Sequence, residues 1–222
     1  MFVRVDGVYR AEPLLGFPWL EHGFGSRHSD GWAPPEETVT LKQVHSGTVI
    51  VSAHRTGCLG EGDALVTQRP GARLAIRTAD CIPLLLVDPG RIVVAAVHAG
   101  WKGTAAAIAE ATVKKMTRQY GCDPERIHAA IGPGIGPCCY EVGPDVLSRL
   151  APYLPAMGSM AEPAKVDLVE ANLRQLQSAG VRRSRIYTAS LCTQCRADEF
   201  FSYRRDRDTA GRMVSAIGIR PR

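Results

Sequence analysis

The 222-residue chain has no apolar run approaching the ~20 residues that a membrane-spanning helix requires. Its opening residues, MFVRVDGVYR, lack the basic start and long apolar centre of a secretory signal. A cytoplasmic protein with no membrane partner is therefore expected. Internal repeats, low-complexity tracts and linker-like runs are missing too, so one domain spanning 1–222 around a large core is expected. The basic residues are scattered, apart from Arg182-Arg183-Ser184-Arg185 and Arg204-Arg205-Asp206-Arg207, and the net charge is only +5. The clustered basic footprint of a nucleic-acid binder is absent, and a small anionic substrate suits the balance better. Seven cysteines is an odd number that a disulfide framework cannot fully pair. In a reducing compartment, metal binding or a reactive thiolate is the expected use of any special cysteine.

What is present is an ordinary globular composition, 45% apolar and 22% charged, centred on the stretch 72–104. That stretch reads as three apolar strands, 74–77, 83–87 and 92–97. It is interrupted by Thr78-Ala79-Asp80-Cys81 and followed by His98-Ala99-Gly100-Trp101-Lys102-Gly103-Thr104. A thiol and an imidazole thus sit at the ends of buried strands, where a rigid scaffold can aim them at one point. Upstream, the first forty residues read as short edge strands and loops. The β-branched runs 39–44 and 48–53 flank His45-Ser46-Gly47, a hairpin or a strand break. Residues 60–63 read as a turn and 64–67 as a strand. Downstream, a helix is expected from an N-cap at Thr104 to Tyr120, closed by a left-handed Gly121. Its N-terminus would favour an anion. A strand at 127–131 runs into the Gly- and Pro-rich loop 132–141, and a short helix carries Pro144 in its first turn. After a Pro- and Met-rich connector at 152–163, Asp167 and Glu170 form a capping signature for a helix ending at Gly180. Strands at 186–189, 200–204 and 213–219 complete the expectation.

His45, Cys81 and His98 are the principal candidates for chemistry. Two imidazoles and one thiolate suit zinc, with a fourth position for water or substrate. The donors lie 36 and 17 residues apart, which matches no short metal motif. The same residues also read as a buried cysteine beside two hydrogen-bonded histidines, or as a Cys81 nucleophile with His98 as its base. Asp80 either orients a ligating histidine or caps a turn. Arg77, Lys102, Arg204 and Arg205 are candidates for an anionic group such as phosphate. Cys192-Thr193-Gln194-Cys195 is a lone C-x-x-C. A zinc ribbon needs a second pair, for which only Cys138-Cys139 is on offer, and a redox motif wants a following helix that 200–203 denies. Cys58 and Cys122 have loop-like surroundings. His22, His28, His54 and His128 read as surface or loop histidines.

Six strings occur in order over residues 20–220. They are Leu41-Lys42-Gln43-Val44-His45, Gly62-Asp63-Ala64-Leu65-Val66-Thr67, Arg77-Thr78-Ala79-Asp80-Cys81-Ile82-Pro83, Val97-His98-Ala99-Gly100-Trp101-Lys102-Gly103, Ile131-Gly132-Pro133 with Cys139-Tyr140-Glu141-Val142, and Phe200-Phe201-Ser202-Tyr203-Arg204-Arg205. Together they resemble the YfiH family, also called laccase-domain or polyphenol oxidoreductase proteins, purine nucleoside phosphorylases and peptidoglycan editing factors. The resemblance implies a single-domain, layered α+β fold, a sandwich of mixed β-sheets with flanking helices. It implies zinc on His45, Cys81 and His98, with copper the other metal in question. It implies phosphorolysis of adenosine, inosine, guanosine and methylthioadenosine, together with deamination of adenosine. Arg77, Lys102 and Arg204 would then face phosphate, and Asp80 or Glu141 would protonate the departing base. The other activities it raises are an editing hydrolase acting on wall precursors and a copper-dependent phenol oxidase. The string Asp208-Thr209-Ala210-Gly211-Arg212 and the C-x-x-C depart from the family pattern, and neither touches the implied ligands.

Overall fold

The computed structural model describes residues 1–155 and 162–221, so positions 156–161 of the Pro- and Met-rich connector lie outside the described residues. In chain order the elements are β1 (Phe2–Val5), β2 (Val8–Ala11), β3 (Leu20–Gly25), β4 (Val39–Lys42), β5 (Val49–Val51), β6 (Gly57–Glu61), β7 (Ala64–Thr67), β8 (Arg73–Thr78), β9 (Ile82–Asp88) and β10 (Val93–Ala99). There follow α1 (Trp101–Ala105), α2 (Ile108–Tyr120), β11 (His128–Ile131), β12 (Glu141–Val142), α3 (Pro144–Leu150), β13 (Ala164–Lys165), α4 (Leu168–Ser178), β14 (Ile186–Thr188), α5 (Tyr203–Asp206) and β15 (Met213–Ile219). The strands build a seven-stranded sheet, β1-β2-β3-β15-β8-β4-β6, and a six-stranded sheet, β14-β11-β9-β10-β7-β5. Both are mixed: β4 runs parallel to β6 and β8, β5 to β7 and β11 to β14, within otherwise antiparallel pairings.

The apolar runs of β9 and β10 explain the layering. Every residue of both strands is buried. Side chains alternate across a pleated strand, so a continuous apolar run offers an apolar surface to each side. Val93, Ala95, Val97 and Ala99 join one core with Ile108, Val113 and Met116 of α2 and Ala171 and Leu176 of α4. Val94 and Ala96 join another with Phe24, Leu74, Ile76 and Ile217 of the larger sheet. The result is a sheet–sheet–helix stack, the α+β sandwich of mixed sheets that was expected.

Several local expectations change. The runs around His45 belong to different sheets, so 43–48 is a strand break and not a hairpin. Residues 60 and 61 finish β6 instead of forming a turn. Cys58 lies on that strand, and Cys122 is buried. Thr104 does not cap a long helix: it is buried inside α1, where its hydroxyl accepts from Asn172 Nδ2 at 3.0 Å and its carbonyl from Gln175 Nε2 at 2.6 Å. The helix breaks at Ala107, whose φ of 56° is left-handed, and restarts as α2. Gly121 does close α2 in the left-handed region, and Asp167 does cap α4 through Glu170 N. The expected strand at 200–204 is replaced by α5, because Ser202 Oγ caps a helical turn at Arg205 N. His22 is a buried strand residue whose ring accepts from Ala11 N at 3.1 Å.

Candidate active site

The chain crosses between the sheets at 43–48 and again at 79–81, and β10 ends beside the second crossing. His45, Cys81 and His98 thereby meet, with their donor atoms all within 4.8 Å of one another. Cys81 Sγ is 3.9 Å from His45 Nε2, and the two imidazoles stand edge to face with centroids 4.8 Å apart. His98 is fixed by its strand, where it pairs with Pro83 of β9. Cys81 follows Asp80, whose φ of 86° turns the chain sharply, and His45 itself sits at φ 59°. Non-glycine residues in this region cost free energy and persist where the surroundings hold them.

Asp63 holds the His45 turn and the His98 ring. It is fully buried, and its carboxylate accepts from His45 N at 3.0 Å, Ser46 N at 2.6 Å and Ser46 Oγ at 2.8 Å. It also accepts from His98 Nδ1 at 2.8 Å, which leaves Nε2 free to face the other donors. Burial pushes the Asp63 carboxyl up, but the bonds from His98 and Ser46 outweigh it and hold it at about 2. Burial alone would lower His98; Asp63 and Cys81 raise it to about 9. Burial would raise the Cys81 thiol, yet hydrogen bonds and charge from His45 and His98 bring it down to about 7. A poised thiolate between two imidazoles, one oriented through Nδ1 by a carboxylate, is a donor set chemically suited to a divalent metal with a soft ligand. Gly100 closes the back of the set, since a Cβ there would lie 2.9 Å from Cys81 Sγ and 3.0 Å from His45 Cδ2.

The three donors open onto a cleft of about 810 Å³, within the range of small-molecule sites. Arg77, Lys102 and Arg204, all singled out in the sequence, line it, and Arg207 and Arg212 add two further cations. Tyr140, Trp101 and Tyr203 supply aromatic surface, and the Arg204 guanidinium lies 5.1 Å from the Tyr140 ring centre. Asp80 lines the cleft but is fully engaged. Its carboxylate accepts from Thr193 Oγ1 at 2.7 Å, Ser202 Oγ at 3.1 Å and Arg204 N at 2.6 Å. It therefore anchors the turn and the Arg204 backbone, and its hydrogen bonds reach neither His45 nor His98. Glu141 does not line the cleft; only its carbonyl reaches Arg204. Arg205 is turned away, bonded to Asp206 and to the carbonyls of Thr193, Gln194 and Phe200. Because α1 is a single turn, the positive charge of the cleft comes from these cations instead of a long helix dipole. Asp63 is the site residue that sequence reasoning missed. Its only trace was the string Gly62-Asp63-Ala64, an acid placed directly before the apolar run Ala64-Leu65-Val66.

The structure brings the C-x-x-C together with Cys138-Cys139. Cys138, Cys139, Cys192 and Cys195 gather with their sulfurs within 4.8 Å of one another.

Residues 27–220 match a family model described as multi-copper polyphenol oxidoreductase laccase. A purine nucleoside phosphorylase of Deinococcus radiodurans is 46% identical over 186 residues, covering 83% of this chain and 71% of that protein. An adenosine deaminase from an unknown prokaryotic organism is 38% identical over 201 residues, covering 82% and 75%. The crystal structure of the Bacillus licheniformis hypothetical protein YfiH superposes with a TM-score of 0.87 at 29% identity, over 99% of each chain.

Proposed function

Because the chain belongs to the multi-copper polyphenol oxidoreductase laccase family, the family of YfiH, we propose that its cleft is a metal-assisted active site for purine nucleosides. The proposed reactions are phosphorolysis of adenosine, inosine, guanosine and methylthioadenosine, with deamination of adenosine alongside. The observation that carries this reading is the join of two features in one cleft: a His45–Cys81–His98 donor set at one end, and five cationic side chains around it. A cleft that takes both a neutral aromatic nucleoside and a phosphate dianion needs aromatic surface and an excess of positive charge, and five cations against the one carboxylate of Asp80 supply the second.

His45, Cys81 and His98 would hold the metal, and zinc there would supply Lewis acidity and acidification of bound water. The chain's own residues do the rest. Asp63 holds the Nδ1–H of His98, so that Nε2 is the nitrogen facing the site and the one whose proton a metal would displace. Arg77, Lys102 and Arg204 take the negative charge of phosphate and hold it facing the ribose, which converts a bimolecular encounter into a positioned one. Arg204 is itself placed by the Asp80–backbone bond and by its seat over Tyr140. Trp101 and the exposed Tyr203 offer aromatic surface against which a purine stacks while water is excluded.

Replacing Cys81 with Ala tests the assignment. The variant is expected to keep its fold by circular dichroism, to lose the metal of this site and to lose both activities. Full turnover by the variant with stoichiometric zinc contradicts it.

One observation favours a second reading. Cys81, His98 and Asp63 follow one another as nucleophile, base and orienting acid, the arrangement of thiol hydrolases. An editing hydrolase built on them would cleave a UDP-linked muramyl amino acid without regard to phosphate. A multicopper oxidase is a poorer match. Among the described residues the metal-capable groups are one His2Cys set and one four-cysteine set, and neither supplies a histidine-rich multinuclear centre.

A further inference from the structure

Four of the seven cysteines converge on one point outside the donor set of the cleft. Cys138 and Cys139 lie in the loop after β11, and Cys192 and Cys195 in the segment after β14. Cys195 Sγ is 3.5 Å from Cys138 Sγ and 3.3 Å from Cys139 Sγ, and all four sulfurs fall within 4.8 Å of one another. A disulfide requires about 2.05 Å. Four sulfurs bound to one tetrahedral zinc at about 2.3 Å stand about 3.8 Å apart; the two shortest separations, 3.3 and 3.5 Å, fall a few tenths of an ångström inside that spacing, and none exceeds 4.8 Å. They leave room for one ion and not for a two-iron cluster, whose length separates its cysteine pairs.

The backbone around the cluster is shaped for it. Cys139 N and Tyr140 N both donate to Gly136 O at 3.0 Å, so the first pair rides on a tight turn. Arg196 N donates to Cys192 O at 3.1 Å, which curls the second pair the same way. Gly136 N donates to Cys192 Sγ at 3.3 Å, the kind of bond that steadies a ligating thiolate. A Cβ on Gly136 would meet Cys192 Cβ at 3.2 Å and Cys138 Sγ at 3.3 Å, so a larger residue would crowd the cluster.

We propose that Cys138, Cys139, Cys192 and Cys195 bind one zinc ion as a closed structural site that staples the loop 132–143 to the segment 190–197. The backbone joins these segments only sparsely, through Gly134 N to Leu191 O at 3.2 Å and Thr193 N to Gly134 O at 3.0 Å. The first segment lines the cleft and the second supports that lining. Ile135 and Tyr140 line it from one, while Thr193, inside the C-x-x-C, holds Asp80 from the other. The ion would tie two irregular loops into one rigid wall where a Gly- and Pro-rich chain cannot supply a ladder.

Zinc counting on protein purified without chelators tests this independently of the cleft's activity. Wild type is expected to carry about two zinc ions per chain and Cys195→Ser about one, the remaining ion being lost in the Cys81→Ala, Cys195→Ser double variant. If Cys195→Ser does not fold, native wild type still decides. Iodoacetamide followed by mass spectrometry should leave the four cysteines unlabelled until a chelator is added, and label all four afterwards. The proposal is overturned by four thiols that react freely without chelator, by a zinc count that Cys195→Ser leaves unchanged, or by a native disulfide from Cys195 to Cys138 or Cys139. Iron in place of zinc overturns the metal assignment.

Discussion

One carboxylate carries more of the site's geometry than any of its metal-capable donors. Asp63 joins the turn bearing His45 to the ring of His98, and its oxygens face donors on every side. Asp63→Asn turns one of those oxygens into an NH2 group that opposes the Ser46 or His45 N–H. The fold is expected to lose about 1–3 kcal/mol by urea titration, and metal affinity is expected to fall roughly 10–100-fold because the His98 tautomer is no longer specified. Unchanged metal affinity in the folded variant would sink this role. His22 gives a second handle at the same scale. Burial, and then the charge of Arg10, hold its pKa at about 4 against an ordinary 6.5. Between those values the unfolded chain takes up a proton that the fold refuses. The contribution is thus complete above pH 6.5, is lost as pH falls toward 4, and amounts to roughly 3 kcal/mol at most. His22→Gln keeps an acceptor for Ala11 N, and its stability should fall less steeply than wild type over that window; equal slopes contradict the assignment. Neither residue announced its role in the sequence. His45, Cys81 and His98 stood out by type, whereas Asp63 and His22 matter only through partners brought from other strands.

At the scale of elements, strands were legible wherever burial on both faces made the run continuous. β8, β9 and β15 lie within a residue of their expected places, because a long apolar run between turn residues has few other uses, whereas β10 runs two residues past its expected end and takes in His98. What misled was local chemistry that tertiary contacts overrode. Thr104 has the character of an N-cap, but Asn172 and Gln175 of α4 claim its hydroxyl and its carbonyl. The aromatic run at 200–204 resembles a strand, but Phe200 is buried in the core and Ser202 starts a helical turn. The strand-to-helix junction at Gly100 yields a test. Gly100→Ala would drive a methyl group between Cys81 and His45 at distances that side chains essentially never adopt. Turnover is expected to fall about tenfold or more while the melting temperature drops only a few degrees. Wild-type turnover in Gly100→Ala would show that the junction tolerates a wider donor set.

For the whole molecule, the sheet–sheet–helix stack accounts for where the chemistry sits. Two crossings between the sheets and the end of β10 fall at one place, and there three donors separated by 36 and 17 residues become neighbours. No spacing rule reveals such a meeting, because it depends on strand order and not on distance along the chain. The resemblance of the six strings implied the three donors, and the strands bring them together. The cations gather for a similar reason. Arg77 comes from β8, Lys102 from α1, and Arg204, Arg207 and Arg212 from the stretch before β15, scattered in sequence and shared by one cleft.

The central claim is that this cleft uses phosphate to split purine nucleosides. Its most direct test is chromatographic product analysis of adenosine incubated with purified, zinc-reconstituted protein, with and without phosphate. Adenine and ribose 1-phosphate should form only when phosphate is present, and inosine should form in either case. If neither product appears from protein carrying zinc at the His45, Cys81 and His98 site, the nucleoside reading is wrong and the Cys81–His98–Asp63 hydrolase takes its place.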